Sequence, residues 1–330
     1  MAIDTCVLAQ KDYIVGMRRY FHAHPEVSLK EFQTSARIEE ELDKVGIEHT
    51  RVGETGVYAR VVGKKVGEGK TKIVALRADM DALGMEDLKN CEYSSQNPGF
   101  CHACGHDGHT ATLLAAARIL KSMENDFAGE VRFFFQQAEE IGQGARQFVA
   151  AGLLEGVDRI YGQHVTNTLN VGQVGIVAGP LNASCDFFRI EVKGKGAHVS
   201  MPHKGVDALY VASQIVVAVQ SIVARSTDPM ESAVVGIGKA WAGTQYNIVA
   251  EEAVLEGTVR TFLPEVREAT NRRLTDIVEK TAEMLGAKAS IVIKNYSNPL
   301  INDADATKEA KLVAQEIVCL LYTSPSPRDK

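Results

Sequence analysis

One part of the chain alternates strand-like segments with helix-like segments. TKIVALRAD (71–79) is a nearly continuous apolar run, typical of a strand buried on both faces. Further strands are predicted at EVRFFFQQ (130–137) and DRIYGQHV (158–165), with helices over about 110–123 and 142–153 between the three strands. This alternation implies a three-layer α/β unit with a parallel-rich sheet, whose ligands bind beyond the carboxyl ends of the strands.

The segments before and after this unit complete the predicted fold. Two helices within residues 8–46 and a strand at VYARVVG precede it. From about residue 183 the order becomes β-α-β-β-α-β, the signature of a split βαβ, ferredoxin-like α+β sandwich. We therefore predict an inserted domain at 181–297. The first domain would comprise 1–180 and 298–318, since an amphipathic helix starts near residue 305.

The last twelve residues, CLLYTSPSPRDK, differ from what precedes them. A helix pattern stops without a cap and gives way to a Ser/Pro segment that can bury almost nothing. The stretch 319–330 is similar to translated sequencing-adapter read-through, so we expect it to be foreign; a natural disordered tail is the alternative. The first domain is then expected to be incomplete.

Composition limits the classes of function. The chain has 330 residues, 45% hydrophobic and 24% charged, as in a soluble protein with one large core or two smaller ones. A net charge of −6 gives no general electrostatic reason to expect nucleic acid or an anionic membrane as a partner. No run of about 18 uncharged apolar residues occurs, and the start has no signal-peptide pattern. We expect a cytoplasmic protein with reduced cysteines.

Cysteine and histidine are concentrated in FCHACGHDGH, which holds one third of all the cysteines and histidines of the chain. Its Cys-Gly-His step puts two donors on one tight turn, because glycine permits the bend. Thiolate, imidazole and carboxylate are the side chains that bind zinc and similar ions. This cluster and the strand ends together carry Asp79, Asp81, Cys104, His106, Glu139, Glu140 and His164. We interpret the pattern as a metal site.

The adjacent pair Glu139 and Glu140 supports a cation, because two carboxylates at one strand end repel each other without one. Consecutive residues of an extended segment point opposite ways, so one glutamate can bind metal while the other acts as a general base. Asp107 can cap the next helix or orient a ligand imidazole.

Other interpretations of these residues stay open at this point. Cys101 and Cys104 have the spacing of a redox dithiol. Such a dithiol has no use for His106 and the glutamate pair. A structural zinc needs four ligands close in sequence, whereas the ligands proposed here are spread over about 60 residues. A cysteine nucleophile with a histidine base is a further alternative. His102 and His109 suit a helix edge as well as a functional role. The remaining upstream histidines are expected to be surface or packing residues: His22, His24 and His49.

Seven motifs in order resemble the M20 peptidase clan, in its aminoacylase-like amidohydrolase branch of hippurate, indoleacetyl-amino-acid and N-acetyl-diaminopimelate hydrolases. The resemblance covers about residues 12–318. The motifs are RRYFHAHPEVSLKEFQTS, ALRADMDALGM, HACGHDGHTATLL, FQQAEEIGQGAR, YGQHV, VKGKGAHVSMPHKGVDAL and NIVAEEAVLEGTVRTF.

The resemblance implies a three-layer, zinc-exopeptidase-like catalytic domain that binds two divalent metal ions. The ions would be Zn, Mn, Ni or Co. It implies Glu139 as the general base. Asp79 would orient a ligand or the base and would not bind the metal itself. Asp107 would likewise support the ligands and not bind the metal. The implied metal ligands are Cys104, His106, Glu140 and His164.

For the inserted domain, the resemblance implies a lid that pairs two subunits into a homodimer. His198 would reach across the dimer and polarise the scissile carbonyl, while Asn247 and Arg260 would hold the carboxylate of the substrate. The last metal ligand of the family is a histidine near the C-terminus. No histidine follows His203 here, so we expect a truncated enzyme that lacks one ligand.

The implied reaction is hydrolysis of a small N-acyl-amino acid to a carboxylic acid and a free amino acid, by metal-activated water with Glu139 as base. A dipeptidase or exopeptidase of the same clan is one alternative. An inactive homologue that only binds such substrates is another.

Overall fold

The structure is a computed structural model that describes residues 3–67, 71–318 and 320–322. It divides into two compact units, residues 1–168 and 169–330. The predicted foreign tail, 319–330, lies outside the described residues except for 320–322.

The first unit is built on a five-stranded sheet in the order β1-β2-β4-β3-β5. Strand β3 lies between β4 and β5 and runs parallel to both, while β1 and β2 are antiparallel additions on the β4 side. The elements are α1 (Ile3–Ala9), α2 (Lys11–Ala23), α3 (Phe32–Asp43), β1 (Glu48–Val52), β2 (Gly56–Val62), β3 (Ile73–Asp79), α4 (His106–Ser122), β4 (Glu130–Gln136), α5 (Gly144–Ala150) and β5 (Arg159–Gly162).

Three consecutive phenylalanines of β4 explain the layering of this unit. Side chains alternate across a strand, so Phe133 and Phe135 enter one core, while Phe134 enters a smaller core on the opposite face with Phe148 of α5. All three are at most 3% exposed. The predicted three-layer sandwich follows from this burial on both faces.

The second unit contains a four-stranded antiparallel sheet in the order β11-β8-β10-β9. The apolar sides of α6 and α7 pack with this sheet in one core. The elements are β6 (Gln173–Gly175), β7 (Gly179–Asn182), β8 (Cys185–Lys193), a 3₁₀ turn (Pro202–Lys204), α6 (Ala208–Ser221), a π-helical turn (Ile222–Ser226), β9 (Ala233–Ala242), β10 (Glu252–Thr261), α7 (Pro264–Met284), β11 (Lys288–Ser297), β12 (Leu300–Asn302), α8 (Ala304–Ile317) and β13 (Leu320–Tyr322).

The order β8-α6-β9-β10-α7-β11 is the predicted β-α-β-β-α-β pattern. Strands β7 and β12 flank it and pair with each other, so the chain enters and leaves this domain at one place, as an inserted domain does. The exact boundaries, and the assignment of 298–318 to the first domain, stay predictions; α8 falls in the second compact unit.

Residues 208–226 form a helical stretch long and apolar enough to cross a membrane by length and composition alone, with a mean hydropathy of 1.5. A helix in the core of a domain passes the same test. In the structure, Val211, Ile215 and Val219 are buried in the core beside the sheet, each at most 1% exposed, so one face of this stretch packs as the core helix of a domain does.

A buried ion pair gives a stability test of the second unit. Asp186 accepts hydrogen bonds from Arg267 and Asn271, and the Asp186 side chain is 2% exposed. Burial raises the pKa of Asp186, but these partners outweigh burial and lower it overall. We expect Asp186→Asn to reduce the free energy of unfolding by about 3 kcal/mol, because it leaves the Arg267 charge unpaired.

The free energy of unfolding of Asp186→Asn is measured by denaturant unfolding. The control is Glu256→Gln, which breaks a more exposed pair with Arg189. This control should reduce the free energy of unfolding by less than about 1 kcal/mol. Since the pKa of Asp186 is lowered by folding, its contribution is present above the ordinary aspartate pKa of about 4. It should disappear as the pH falls through the lowered pKa. Equal costs for the two variants would contradict the assignment.

Candidate metal centre

The parallel strands β3, β4 and β5 bring their carboxyl ends to the same edge of the first sheet. Asp79 is the last residue of β3, Glu139 and Glu140 follow β4, and His164 follows β5. The predicted grouping at this edge is therefore what the strand order produces.

A glycine turn before α4 adds the cysteine and histidine donors. Gly105 has a φ of 86°, in the left-handed region that glycine adopts without a steric penalty. It also lies against the segment after β5, because a Cβ built on it would come 2.4 Å from Val165 Cγ2. This close approach places Cys104 Sγ 3.7 Å from His164 Nε2.

His106 is oriented by its backbone partner. Its Nδ1 lies 2.8 Å from the carbonyl oxygen of Asp81, which can only accept, so Nδ1 carries the proton. Its Nε2 is buried and makes no hydrogen bond to the described residues. Glu140 Oε1 lies 3.8 Å and Asp79 Oδ1 3.6 Å from Nε2. Burial lowers the pKa of His106, but its bond to Asp81 and the nearby carboxylates outweigh burial and raise it overall. The negative charge that favours a proton on this ring would equally favour a cation at Nε2.

Three groups of donors meet at His106: two hold the side chains predicted as ligands or base, and one joins His106 to Asp79 and His109. In the first, ligand atoms of Cys104, His106 and His164 lie within 4.8 Å of one another; in the second, those of His106, Glu139 and Glu140 do. The structure thus brings together all five side chains predicted as ligands or base. Soft sulfur, imidazole nitrogen and carboxylate oxygen suit zinc and its transition-metal neighbours.

Burial and crowded negative charge together shift the pKa values of the titrating groups of this cluster. Burial raises the pKa of the Cys104 thiol to about 12, and Glu140 and Glu139 contribute to the rise. Burial also raises the pKa of Glu139, and the charge of Asp79 adds to it. A divalent cation would oppose both effects, because it stabilises the thiolate and the carboxylates.

Asp79 lies beside the cluster and is held by two donors. His109 Nδ1 donates to Asp79 Oδ1 at 2.6 Å, and Arg77 donates to Oδ2 at 2.7 Å. Burial raises the pKa of Asp79, but these contacts outweigh burial and lower the pKa below its ordinary value. The other ring nitrogen of His109 accepts the N–H of Val165 at 2.9 Å. His109 therefore connects the end of β3 to the segment that carries His164.

The carboxylate of Asp107 faces α2. Its Oδ2 accepts from His22 Nδ1 at 2.7 Å and from Arg18 Nε at 2.9 Å. His22, expected to be a surface or packing residue, is 1% exposed and bonded to this carboxylate. Asp107 thus holds α2 against the start of α4.

Sequence reasoning missed Glu31, a fully buried acid. Glu31 accepts the N–H of Ala138 at 2.8 Å and the hydroxyl of Thr55 at 2.7 Å. Ala138 has a φ of 49°, unfavourable for alanine, and directly precedes the glutamate pair. Glu31 therefore stabilises the turn that presents Glu139. Its isolated position in the sequence carried no signal of this role.

The residues predicted to act from the lid lie in the second unit. His198 and Asn247 are brought together, since His198 bridges to Ile248 and the N–H of Val199 donates to the Asn247 carbonyl at 3.1 Å. Arg260 is exposed and lies near the far end of β10. At a rise of about 3.3 Å per residue, it is roughly 25 Å from the start of that strand. The structure does not group Arg260 with the other two.

The α/β fold and the mixed sulfur, nitrogen and oxygen donors are those of a metal-binding hydrolase. The sequence model of peptidase family M20/M25/M40 matches residues 75–327, and the chain belongs to this family. It is 40% identical to an N-acetyl-L-cysteine deacetylase of Bacillus subtilis (91% of this chain, 73% of the relative). It is 41% identical to an N-acyl-L-amino acid amidohydrolase of Geobacillus stearothermophilus (88% and 78%).

A solved structure agrees with this membership. The chain matches the crystal structure of the Bacillus subtilis YXEP protein, a dinuclear metal-binding peptidase of the M20 family, with a TM-score of 0.81 and 35% identity. The match covers 96% of this chain and 84% of that one. The family and the fold class expected from the sequence are confirmed.

The Gly105 turn can be tested by a matched pair of glycine substitutions. Gly105→Ala should lower the free energy of unfolding by at least about 1–2 kcal/mol, the cost of a left-handed alanine, and the clash with Val165 should weaken metal binding. Gly108→Ala adds a methyl group inside α4 with nothing within 4 Å and should stabilise by up to about 1 kcal/mol. Thermal unfolding and metal titration measure both; equal behaviour would disprove the close approach.

Proposed function

We propose that this protein is a metal-dependent amidohydrolase that cleaves N-acyl-amino acids to a carboxylic acid and a free amino acid. The observation that carries the proposal is the convergence of Cys104, His106, Glu139, Glu140 and His164 at one sheet edge. The names of the two relatives described above supply the substrate class.

Cys104, His106, Glu140 and His164 would hold two divalent ions, as the dinuclear YXEP relative suggests. When bound, such ions acidify a water molecule and polarise the acyl carbonyl. A thiolate among the ligands favours Zn, Mn, Ni or Co over Mg and Ca. The buried, unbonded Nε2 of His106 is the feature of this chain that fits the ions best.

Glu139 is proposed as the general base. It would accept a proton from the attacking water and then deliver that proton to the nitrogen of the leaving amino acid. Burial raises the pKa of its carboxyl group, and bound ions would lower it again, so the carboxylate form that a base requires is favoured once the ions are held. Glu31 would keep Glu139 in place through Ala138.

We further propose that the lid forms a homodimer and that His198 polarises the scissile carbonyl. Asn247 and Arg260 would bind the substrate carboxylate from different subunits of that dimer, since the two lie far apart within one chain. Exposed apolar side chains on α6 support pairing: Leu209, Tyr210 and Val217 are 53%, 54% and 68% exposed. A cytoplasmic location would keep the Cys104 thiol reduced.

Substrate class and metal dependence can be tested in one experiment. The protein is assayed against N-acetyl-amino acids, N-benzoyl-amino acids and dipeptides, then treated with a chelator and reloaded with Mn²⁺, Zn²⁺, Co²⁺ or Ni²⁺. We expect the protein to hydrolyse the N-acyl substrates. Activity should be lost with the chelator, because the chelator removes the bound ions, and it should recover when at least one of the four ions is added back. Preference for dipeptides would favour an exopeptidase. Binding without turnover under every ion would favour an inactive homologue.

The base assignment is tested by Glu139→Gln beside Glu140→Gln. Glu139→Gln should lower kcat by roughly 10²–10⁴ or more with metal content unchanged, because only proton transfer is lost. Glu140→Gln should lower metal content. Elemental analysis and steady-state kinetics separate the two, and loss of metal from Glu139→Gln alone would reverse the roles.

A further inference from the structure

A second cluster of metal-type donors lies outside the centre described above. We propose that His22 Nε2, an Asp87 carboxylate oxygen and Cys101 Sγ form a separate structural site for a divalent ion of the zinc class. These atoms lie within 4.8 Å of one another. None of the three belongs to the catalytic ligand set, so the inference does not rest on the proposed function.

The three side chains are shielded from water. The His22 and Asp87 side chains are 1% and 4% exposed, and Cys101 is 4% exposed. Asp87 and Cys101 have partners of their own, whereas His22 Nε2 is buried with no hydrogen bond to the described residues. An unsatisfied buried nitrogen is costly, so its place beside Asp87 and Cys101 needs a physical reason.

The protonation of His22 supplies that reason. Its Nδ1 lies 2.7 Å from Asp107 Oδ2, and a carboxylate can only accept, so Nδ1 carries the proton. In the neutral ring, Nε2 then presents a lone pair. This nitrogen is buried, has no hydrogen bond to the described residues, and has Asp87 Oδ2 3.4 Å away. A lone pair opposite a carboxylate is repulsive, and a cation between them makes the contact attractive.

This arrangement is the one found around metal-binding histidines. A ligating imidazole donates its other N–H to a carboxylate, which fixes the tautomer and the ring orientation. Here Asp107 plays that part, and Arg18 also donates to the same Asp107 oxygen at 2.9 Å. His22 is thus already oriented to bind an ion through Nε2.

Asp87 is also positioned in advance. Its two oxygens accept the N–H of Ser95 at 2.9 Å and the N–H of Lys89 at 3.1 Å. The Ser95 contact is the largest cause of a lowered pKa at Asp87. The residue is therefore a carboxylate, the form that binds metal. Lys89 Nζ lies 3.8 Å from Asp87 Oδ1, the oxygen farther from His22 Nε2.

Cys101 completes the donor set. Burial raises the pKa of its thiol, so without an ion the sulfur is protonated, and binding would release that proton to solvent. Sulfur, nitrogen and oxygen together favour zinc-class ions over Mg²⁺ and Ca²⁺. Three protein ligands leave a fourth position for water.

The site has a structural purpose. Between β3 and α4 the chain forms no helix or strand over residues 80–105, and loops of this length without regular structure are uncommon in compact domains. An ion on His22, Asp87 and Cys101 would fasten this loop to the end of α2. The loop leads directly into the Cys104 turn.

The test uses cobalt as a spectroscopic probe on the full chain. Cys104→Ser removes the thiolate of the catalytic cluster, so any thiolate-to-cobalt charge-transfer absorption must come from another cysteine. We expect this absorption when metal-free Cys104→Ser is titrated with Co²⁺. It should be lost in Cys104→Ser/Cys101→Ser and retained in Cys104→Ser/Cys185→Ser, which removes a buried cysteine of the second unit.

A second measurement guards against misfolding of the double variants. Elemental analysis of Zn²⁺-loaded protein should show one ion fewer per chain in Cys101→Ser and in Asp87→Asn than in the unchanged protein, with the circular dichroism spectrum preserved. No cobalt absorption in Cys104→Ser, together with unchanged zinc content in Cys101→Ser, would overturn the site. His22 would then be an imidazolium held between Asp87 and Asp107.

Discussion

Repulsion among carboxylates is the constraint on which the catalytic edge depends. Because β3 and β4 are parallel neighbours, their carboxyl ends meet at the same edge. Four acids lie at or just after these two strand ends: Asp79, Asp81, Glu139 and Glu140. Arg77 offsets part of this charge at Asp79, and the imidazole of His109 donates a hydrogen bond to the same carboxylate. Burial, and after it the remaining negative charge, raises the pKa of Cys104 and Glu139; a cation would relieve that charge.

The loops that carry these residues are fixed by buried acids bound to backbone N–H groups. Glu31 holds Ala138, and Asp81 Oδ2 accepts the N–H of Glu140 at 3.0 Å and the hydroxyl of Ser28. Such contacts let irregular backbone remain buried, since its polar groups are satisfied.

Much of the fold followed from local pattern. The apolar run of β3 and the consecutive phenylalanines of β4 predicted buried strands, and the β-α-β-β-α-β order predicted the second sheet. Strand β1, helix α1 and the short strands β6, β7, β12 and β13 were missed. The short strands have three or four residues each, too few for a periodic signal, and exist because partners distant in the chain pair with them.

The chemistry of the catalytic cluster was visible in the order of amino acids, because thiol, imidazole and paired carboxylates at successive strand ends have few other uses. The tautomer of His106, the role of His109 toward Asp79 thirty residues earlier, and the bond of His22 to Asp107 eighty-five residues later were not. Sequence patterns report the type and spacing of donors along the chain. Hydrogen-bond partners depend on which distant segments meet, and only the packed chain establishes those meetings.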